Sequence, residues 1–233
     1  METAKTVDRA LQVLVVVGQE GPLGVSEVAA RVALNRTVTY RLLTTLQKHG
    51  FVRATARGYV PGPAVMEMAR RVEPRLLAGA RPAMERLSGT IGETVVLAVA
   101  QGTDAVAIDQ AVATTSPLRV EYQLGTKSPL TQGASGRVLL SMIEPEIREL
   151  ILDGFPDRRR LERDLIQLEQ RGYATSRDEL QKGIYGIAVP VVEGYLAAAI
   201  SVLVPTSRAD ELERNLDLII QTGHDIEENL RGA

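Results

Sequence analysis

Residues 35–52 read NRTVTYRLLTTLQKHGFV, and the reading of this stretch decides the rest. It carries Arg36, Arg41, Lys48 and His49, and it contains no acid. Val38, Leu42, Leu43 and Leu46 recur at helical spacing and are expected to face a core, which leaves Arg36, Thr37, Tyr40, Arg41 and Thr44 outside. Asn35 is the expected N-cap, and Gly50 supplies the left-handed residue that ends a helix at low cost. The stretch therefore predicts a helix that is apolar on one side and basic and hydroxylic on the other. A solvated basic face normally carries interspersed acids, so this pattern favours contact with a polyanion.

The flanks extend the motif. TVDRALQVLVVV predicts a first helix with Thr6 as N-cap, Asp8 in its first turn, and Ala10, Leu11, Leu14 and Val17 on one face. GQEGPLG stops it, and VSEVAARV follows as a short helix capped by Ser26, with Val28, Ala29 and Val32 inward. Downstream, FVRA and GYVPG flank TAR and read as two short strands with Arg53 and Arg57 at the tip. Three helices followed by a basic hairpin make a winged helix-turn-helix, whose second motif helix enters the DNA major groove. Ser26, Arg36, Thr37, Thr39, Tyr40, Arg41, Arg53 and Arg57 are the candidate DNA contacts. Arginines neutralise phosphates or read guanine, threonines reach a thymine methyl or a phosphate oxygen, and Tyr40 offers a ring and a hydroxyl.

Charge is unevenly distributed along the chain. Residues 1–80 hold eleven Lys/Arg against six Asp/Glu, while 81–233 hold sixteen against twenty-three. Within 28–66 the cations Arg31, Arg36, Arg41, Lys48, Arg53 and Arg57 stand without one acid, the electrostatic footprint of a phosphate-facing surface. At 233 residues the chain has room for two domains. With no cysteine and only His49 and His224, disulfides, thiolate chemistry and a multi-histidine metal site are not expected, and no cofactor is called for. No signal peptide or membrane-length apolar run is visible, so a cytoplasmic protein is expected.

Past Ile91 the pattern becomes short apolar runs. TVVLAVAQG, DAVAIDQAVA and LRVEYQLG read as strands, the first two joined by a turn at Gly102-Thr103-Asp104. Helices are expected at about 134–142, 145–152 and 161–172, then the strands GIAVPVV and LAAAISVLV joined by EGY, then a long helix at 208–231. This is an α+β arrangement: an antiparallel sheet with helices packed on it. Before it, 62–91 holds two helical stretches punctuated by Pro74 and Pro82, the first at about 62–72 with Val65, Met66 and Ala69 available to a partner. An enzyme is disfavoured. GASGR at 133–137 misses the nucleophile-elbow pattern by carrying Arg137 in place of its last glycine, and neither histidine is placed to serve as a base.

VDRALQVL, LGVSEVAARVALNRTVTYRLLTTLQKHGFV and GYVPGPAVMEMA together resemble the IclR family of bacterial transcriptional regulators. The resemblance continues through LSGTIGETVVLAVAQGTDAVAIDQ, SPLTQGASGRVLLS, RGYATSRDELQKGIYGIAVPV and LAAAISVLVP, nearly the whole chain. It implies a winged helix-turn-helix at 1–61, a linker helix region at 62–80 and a GAF-like effector-binding and oligomerisation domain at 81–233. It further implies a homodimer or dimer of dimers on a palindromic or quasi-palindromic double-stranded operator. For the effector, it places a cavity between the sheet and the loop before the GASGR helix, which carries across to Ala134, Ser135, Ser176, Asp178, Gly186 and Ser201. The amides at that helix start favour an anionic ligand, so a small organic carboxylate is expected, aromatic or catabolic as is common for similar regulators.

Three positions depart from the family pattern. Ser176 stands where an acid is frequent, Gly186 where a cysteine is frequent, and Thr37-Val38-Thr39 replaces the usual Ser-Thr-Val order. The alternatives are an architectural DNA binder whose second domain only oligomerises, and a small-molecule enzyme with an appended DNA domain.

Overall fold

The helices of the amino-terminal half form because their apolar arcs have one another to bury against. The computed structural model describes residues 4–69, 71–113, 120 and 122–232, which fall into two units, 1–74 and 75–233. The first holds α1 (Lys5–Glu20), α2 (Val25–Arg31), α3 (Arg36–Lys48), β1 (Val52–Thr55), β2 (Gly58–Pro61) and α4 (Pro63–Ala69). Val13, Val17, Leu23, Val28, Leu42, Leu43, Leu46 and Val52 form its core. Replacing the fully buried Leu43 by alanine is expected to cost about 2–5 kcal/mol.

Two local expectations fail in this unit. Thr6 lies inside α1, two residues past the cap position at Ala4, and the buried arc runs through Val13 and Val17 while Leu11 is exposed. Ser26 is likewise inside α2; Gly24 precedes the helix, and its N–H donates to the Glu27 carboxylate at 2.7 Å. The first-turn carboxylate thus serves the backbone amide of the residue that precedes the helix, and no hydroxyl caps it.

The second unit contains α5 (Pro74–Ile91, of which Pro74 falls on the first unit's side of the division), β3 (Thr94–Gln101), β4 (Asp104–Ala111), β5 (Lys127–Pro129), α6 (Gly133–Met142), α7 (Pro145–Asp153), α8 (Arg158–Arg171), β6 (Ala174–Arg177), β7 (Ile184–Glu193), β8 (Leu196–Pro205), α9 (Ala209–Glu213) and α10 (Leu216–Arg231). Its sheet is antiparallel, in the order β5-β4-β3-β8-β7-β6. One core cluster joins α5, α9 and α10 to the sheet through Leu76, Met84, Leu87, Leu212, Ile219, Ile226 and Leu230. The other joins α6, α7 and α8 through Val138, Leu139, Leu140, Leu152, Leu161 and Leu165.

The division at Pro74/Arg75 precedes the expected 80/81 boundary, because Pro82 does not break its helix. An interior proline forfeits a backbone hydrogen bond. Here Pro82 is exposed, while Leu76, Gly79, Ala80, Ala83, Met84 and Leu87 bury the opposite side of α5, and that packing keeps the helix continuous. Gly79 faces α10, where a Cβ would come within 2.9 Å of the tip of the Leu230 side chain.

The expected strand at 118–125 falls partly outside the described residues. Val120 and residues 122–125 are not strand, and β5 comes later. The expected terminal helix is a 3-10 turn at Thr206–Arg208 followed by α9 and α10. Among the described residues, no helix is long and apolar enough to cross a membrane, and no cluster of His, Asp or Glu has the makings of a metal site.

Candidate functional site

Two sites take shape, one in each unit. In the first, Asn35 caps α3 by accepting the Val38 N–H at 2.8 Å. The other end closes with Gly50 at φ +74 and Phe51 donating back to the Leu46 carbonyl at 2.9 Å, the bond pattern of a glycine-ended helix. Both ends fixed, α3 turns Arg36, Thr37, Tyr40, Arg41 and Thr44 to solvent, Tyr40 with 56% of its surface exposed.

The threonines of α3 separate by their hydrogen bonds. Thr39 is fully buried and its hydroxyl donates to the Asn35 carbonyl at 3.1 Å, so its place among the DNA contacts is withdrawn. Thr44 and Thr45 donate to the carbonyls four residues back. Among the described residues, Thr37 is the α3 threonine whose hydroxyl has no intramolecular partner, and it sits at the exposed start of the helix.

The hairpin pairs Val52 with Pro61 and Thr55 with Gly58, leaving Ala56 and Arg57 as a two-residue tip. Thr55 stiffens the tip: its hydroxyl donates to the Gly58 carbonyl at 2.7 Å and accepts the Arg57 N–H at 3.2 Å. Leu23 and Tyr59 exchange backbone hydrogen bonds at 2.8 and 3.2 Å, which ties the hairpin to the turn between α1 and α2. Gly58, at φ +131, makes this possible, since a Cβ there would lie 2.5 Å from the Leu23 backbone. Arg53 and Arg57 are exposed, and Ser26 is exposed on α2. Arg31 is committed to an ion pair with Glu20.

In the second unit a cavity of about 40 Å³ lies between the sheet and the start of α6. Ala134, Ser135, Ser176 and Ser201 line it, joined by Tyr122, Thr126, Ser128, Leu180 and Leu203. The small side chains Ala98, Ala105 and Ala107 of β3 and β4 form its floor. Six hydroxyl-bearing residues stand in a lining that is otherwise apolar, and among the described residues no charged side chain lines it. Burial pushes the Tyr122 phenol above its ordinary pKa, so it stays a neutral donor.

Two of the carried-over residues, Asp178 and Gly186, are not among those that line the cavity. Asp178 is exposed, at φ +59, and its carboxylate accepts the Gly183 N–H at 2.6 Å, which makes it a turn-forming residue. Gly186 is paired with Ser176 and Leu203, both of which line the cavity, and a Cβ there would meet the tip of the Leu203 side chain at 2.9 Å and the Ser176 hydroxyl at 3.3 Å.

Glu179 was not anticipated, and it organises the start of α6. It accepts the Gly133 N–H at 2.9 Å and forms a two-pronged pair with the buried Arg137 at 2.7 and 3.0 Å. Arg137 also donates to the Thr175 carbonyl, so the near-elbow GASGR carries a structural arginine at its last position. Burial raises the Glu179 pKa, but the Arg137 hydrogen bonds, the Gly133 amide and the charges of Arg137 and Arg160 outweigh it and hold it below the ordinary value. The Ala134 and Ser135 amides have no partner among the described residues. Only the SRDE stretch pointed towards Glu179 in the sequence, where paired acids read as surface.

Comparison with known proteins agrees with this architecture. Residues 6–56 match the IclR helix-turn-helix domain, and 72–228 match the bacterial transcriptional regulator IclR C-terminal domain. The chain is 30% identical to HTH-type transcriptional regulator BhcR of Paracoccus denitrificans, across 95% of this chain and 86% of that one. It is 28% identical to the acetate operon repressor of Salmonella typhimurium, across 88% and 81%. Among solved structures, an IclR homolog of Microbacterium hydrocarbonoxydans complexed with 4-hydroxybenzoate superposes with a TM-score of 0.85 at 24% identity, covering 98% of this chain and 100% of that one. The Thermotoga maritima IclR gives 0.74 at 26% identity, covering 97% and 98%. An amino-terminal DNA-reading unit, a carboxy-terminal effector domain and these relatives, named as regulators and repressors, place the chain in the IclR family of bacterial transcriptional regulators.

Proposed function

We propose that this regulator acts in the cytoplasm, reads a two-fold operator as a homodimer or dimer of dimers, and changes its grip when a small organic carboxylate enters the α6 cavity. Arg36 and Thr37, at the exposed start of α3, meet base edges or the adjacent phosphates, and Ser26, Tyr40, Arg41, Arg53 and Arg57 hold the DNA backbone. Dimerisation has physical support in α4. A seven-residue helix with no buried residue cannot stand alone in water. Its Val65, Met66 and Met68 are exposed, Met66 by 63%, and α1 presents a second apolar row in Val7, Leu11 and Val15. Two such subunits suit a palindromic site, because a two-fold protein matches two-fold DNA.

The observation that carries the effector reading is a cavity with six hydroxyl-bearing residues in its lining, at a helix start where two amides have no partner among the described residues. Helix amides and hydroxyls solvate a carboxylate without a counter-charge. Genomic footprinting of the full chain would supply the operator, on which fluorescence anisotropy is then run with acetate, benzoate and 4-hydroxybenzoate. A 5–150-fold shift in operator affinity with one acid is expected, corresponding to a coupling of about 1–3 kcal/mol. Tight operator binding that no acid changes would favour the alternative in which the second unit only oligomerises. A response to cationic or purely apolar ligands would leave the site standing and remove the anion argument.

A further inference from the structure

The cavity as it stands is too small for most organic acids. About 40 Å³ accommodates little more than a pair of waters, whereas ligand pockets for drug-sized molecules span roughly 300–1,000 Å³. Some part of the wall must yield to a larger ligand, and the walls differ in how firmly they are held. Val96, Ala98, Ala105, Ala107 and Ser201 belong to paired strands, and Ala134 is buried in α6.

Leu180 is different. It belongs to the turn at 178–183 that links β6 to β7, and it is an apolar side chain left 43% exposed while also facing the cavity. Gly133 gives it room: a Cβ there would come within 2.7 Å of Leu180. The turn is closed on itself by the Asp178 carboxylate, which accepts the Gly183 N–H, and by the Asp178 N–H donating to the Ile184 carbonyl at 2.9 Å. What fastens it to α6 is Glu179, through the Gly133 amide and Arg137.

From this geometry we infer that the 178–183 turn is the adjustable wall of the cavity, that Leu180 sets the largest carboxylate admitted, and that the Glu179 clamp on Gly133 and Arg137 sets how readily the wall gives way. The inference rests on the cavity's being the effector site. Acetate fits with little displacement of Leu180, whereas benzoate needs its space. Because Glu179 holds the Gly133 amide, an incoming carboxylate is left with those of Ala134 and Ser135.

The test uses the full-length chain and isothermal titration with acetate, benzoate and 4-hydroxybenzoate. Leu180→Ala removes a half-exposed side chain, and Glu179→Gln loosens the clamp while keeping the side-chain shape; a ligand-free melt of each variant checks its fold. Leu180→Ala is expected to raise the benzoate-to-acetate affinity ratio at least tenfold, and Glu179→Gln to raise benzoate affinity at least threefold with acetate little changed. If the parent binds these acids and both variants keep its ratio within twofold, the gate is elsewhere and the inference falls while the effector site stands. If neither the parent nor Leu180→Ala binds any of the three, the carboxylate reading of the cavity fails, and this inference goes with it.

Discussion

Replacing Arg57 by alanine tests one proposed phosphate contact. Arg57 is exposed at the two-residue tip of the hairpin, and its side chain has no ion-pair partner among the described residues. The bond that stiffens the tip uses the Arg57 backbone N–H, which alanine keeps. Stability should therefore stay within about 0.5 kcal/mol of the parent, as for ordinary surface substitutions. Each neutralised phosphate contributes about 0.9 to the slope of log affinity against log salt. One hairpin per subunit makes the expected loss in slope about 1.8 for a dimer and about 3.6 if four hairpins engage. For the dimer, the parent should lose about twelvefold more affinity than Arg57→Ala between 50 and 200 mM salt. Fluorescence anisotropy over a salt series, on the operator and on a scrambled duplex, makes the measurement. The weakening should be equal on both duplexes. An unchanged slope, or a changed sequence preference at constant slope, would refute the phosphate role, and a loss near 0.9 would point to a single engaged hairpin.

The two threonines flanking Val38 should behave oppositely. Thr37→Val should weaken operator binding by about 0.5–1.5 kcal/mol with unchanged stability, while Thr39→Val should alter stability and leave the folded protein's affinity intact; the reverse in paired melts and binding curves would overturn the assignment. Arg36→Ala should cost about 1–3 kcal/mol of operator affinity and, if it reads a base, relax one operator position; parent-like affinity would reject it. Met66→Lys should weaken self-association and operator binding together, and a sedimentation profile matching the parent would move the interface away from α4. Ser135→Leu, filling the cavity, should abolish the response to carboxylates with the operator still bound in their absence, and a retained response would place the site elsewhere. Glu179 supplies a pH test. Its carboxyl pKa is lowered on folding from 4.5, so its stabilising contribution is complete above that value and is lost as pH falls through the lower folded value. The stability gap between the parent and Glu179→Gln should therefore shrink in urea melts taken below about pH 4.5; a gap that widened on acidification would contradict the sign.

Much of the first unit could be read from the sequence because its determinants are local. The apolar spacing of 42, 43 and 46, the Asn35 cap and the Gly50 stop are each properties of a few neighbouring residues, and the two-strand hairpin follows from the strand-forming runs on either side of TAR. The hairpin strands β3, β4, β7 and β8 and the helices α6 to α8 were legible for the same reason, whereas the short strands β5 and β6 were not expected. The exceptions turned on neighbours distant in sequence. Thr39 looks like a DNA contact in a string of hydroxyls, but the rotation of α3 against its core buries it. Pro82 reads as a break until the burial of Met84 and Leu87 holds α5 together. The cavity is the sharpest case. Ser176, Ser201 and Ala134 lie on a sheet and a helix that only tertiary packing brings together, and Glu179 reaches an amide 46 residues earlier in the chain. A periodic pattern reports which face of an element is apolar, because that face is set by backbone geometry. Which groups then meet across the fold depends on packing, and there the tertiary structure decided what the sequence left open.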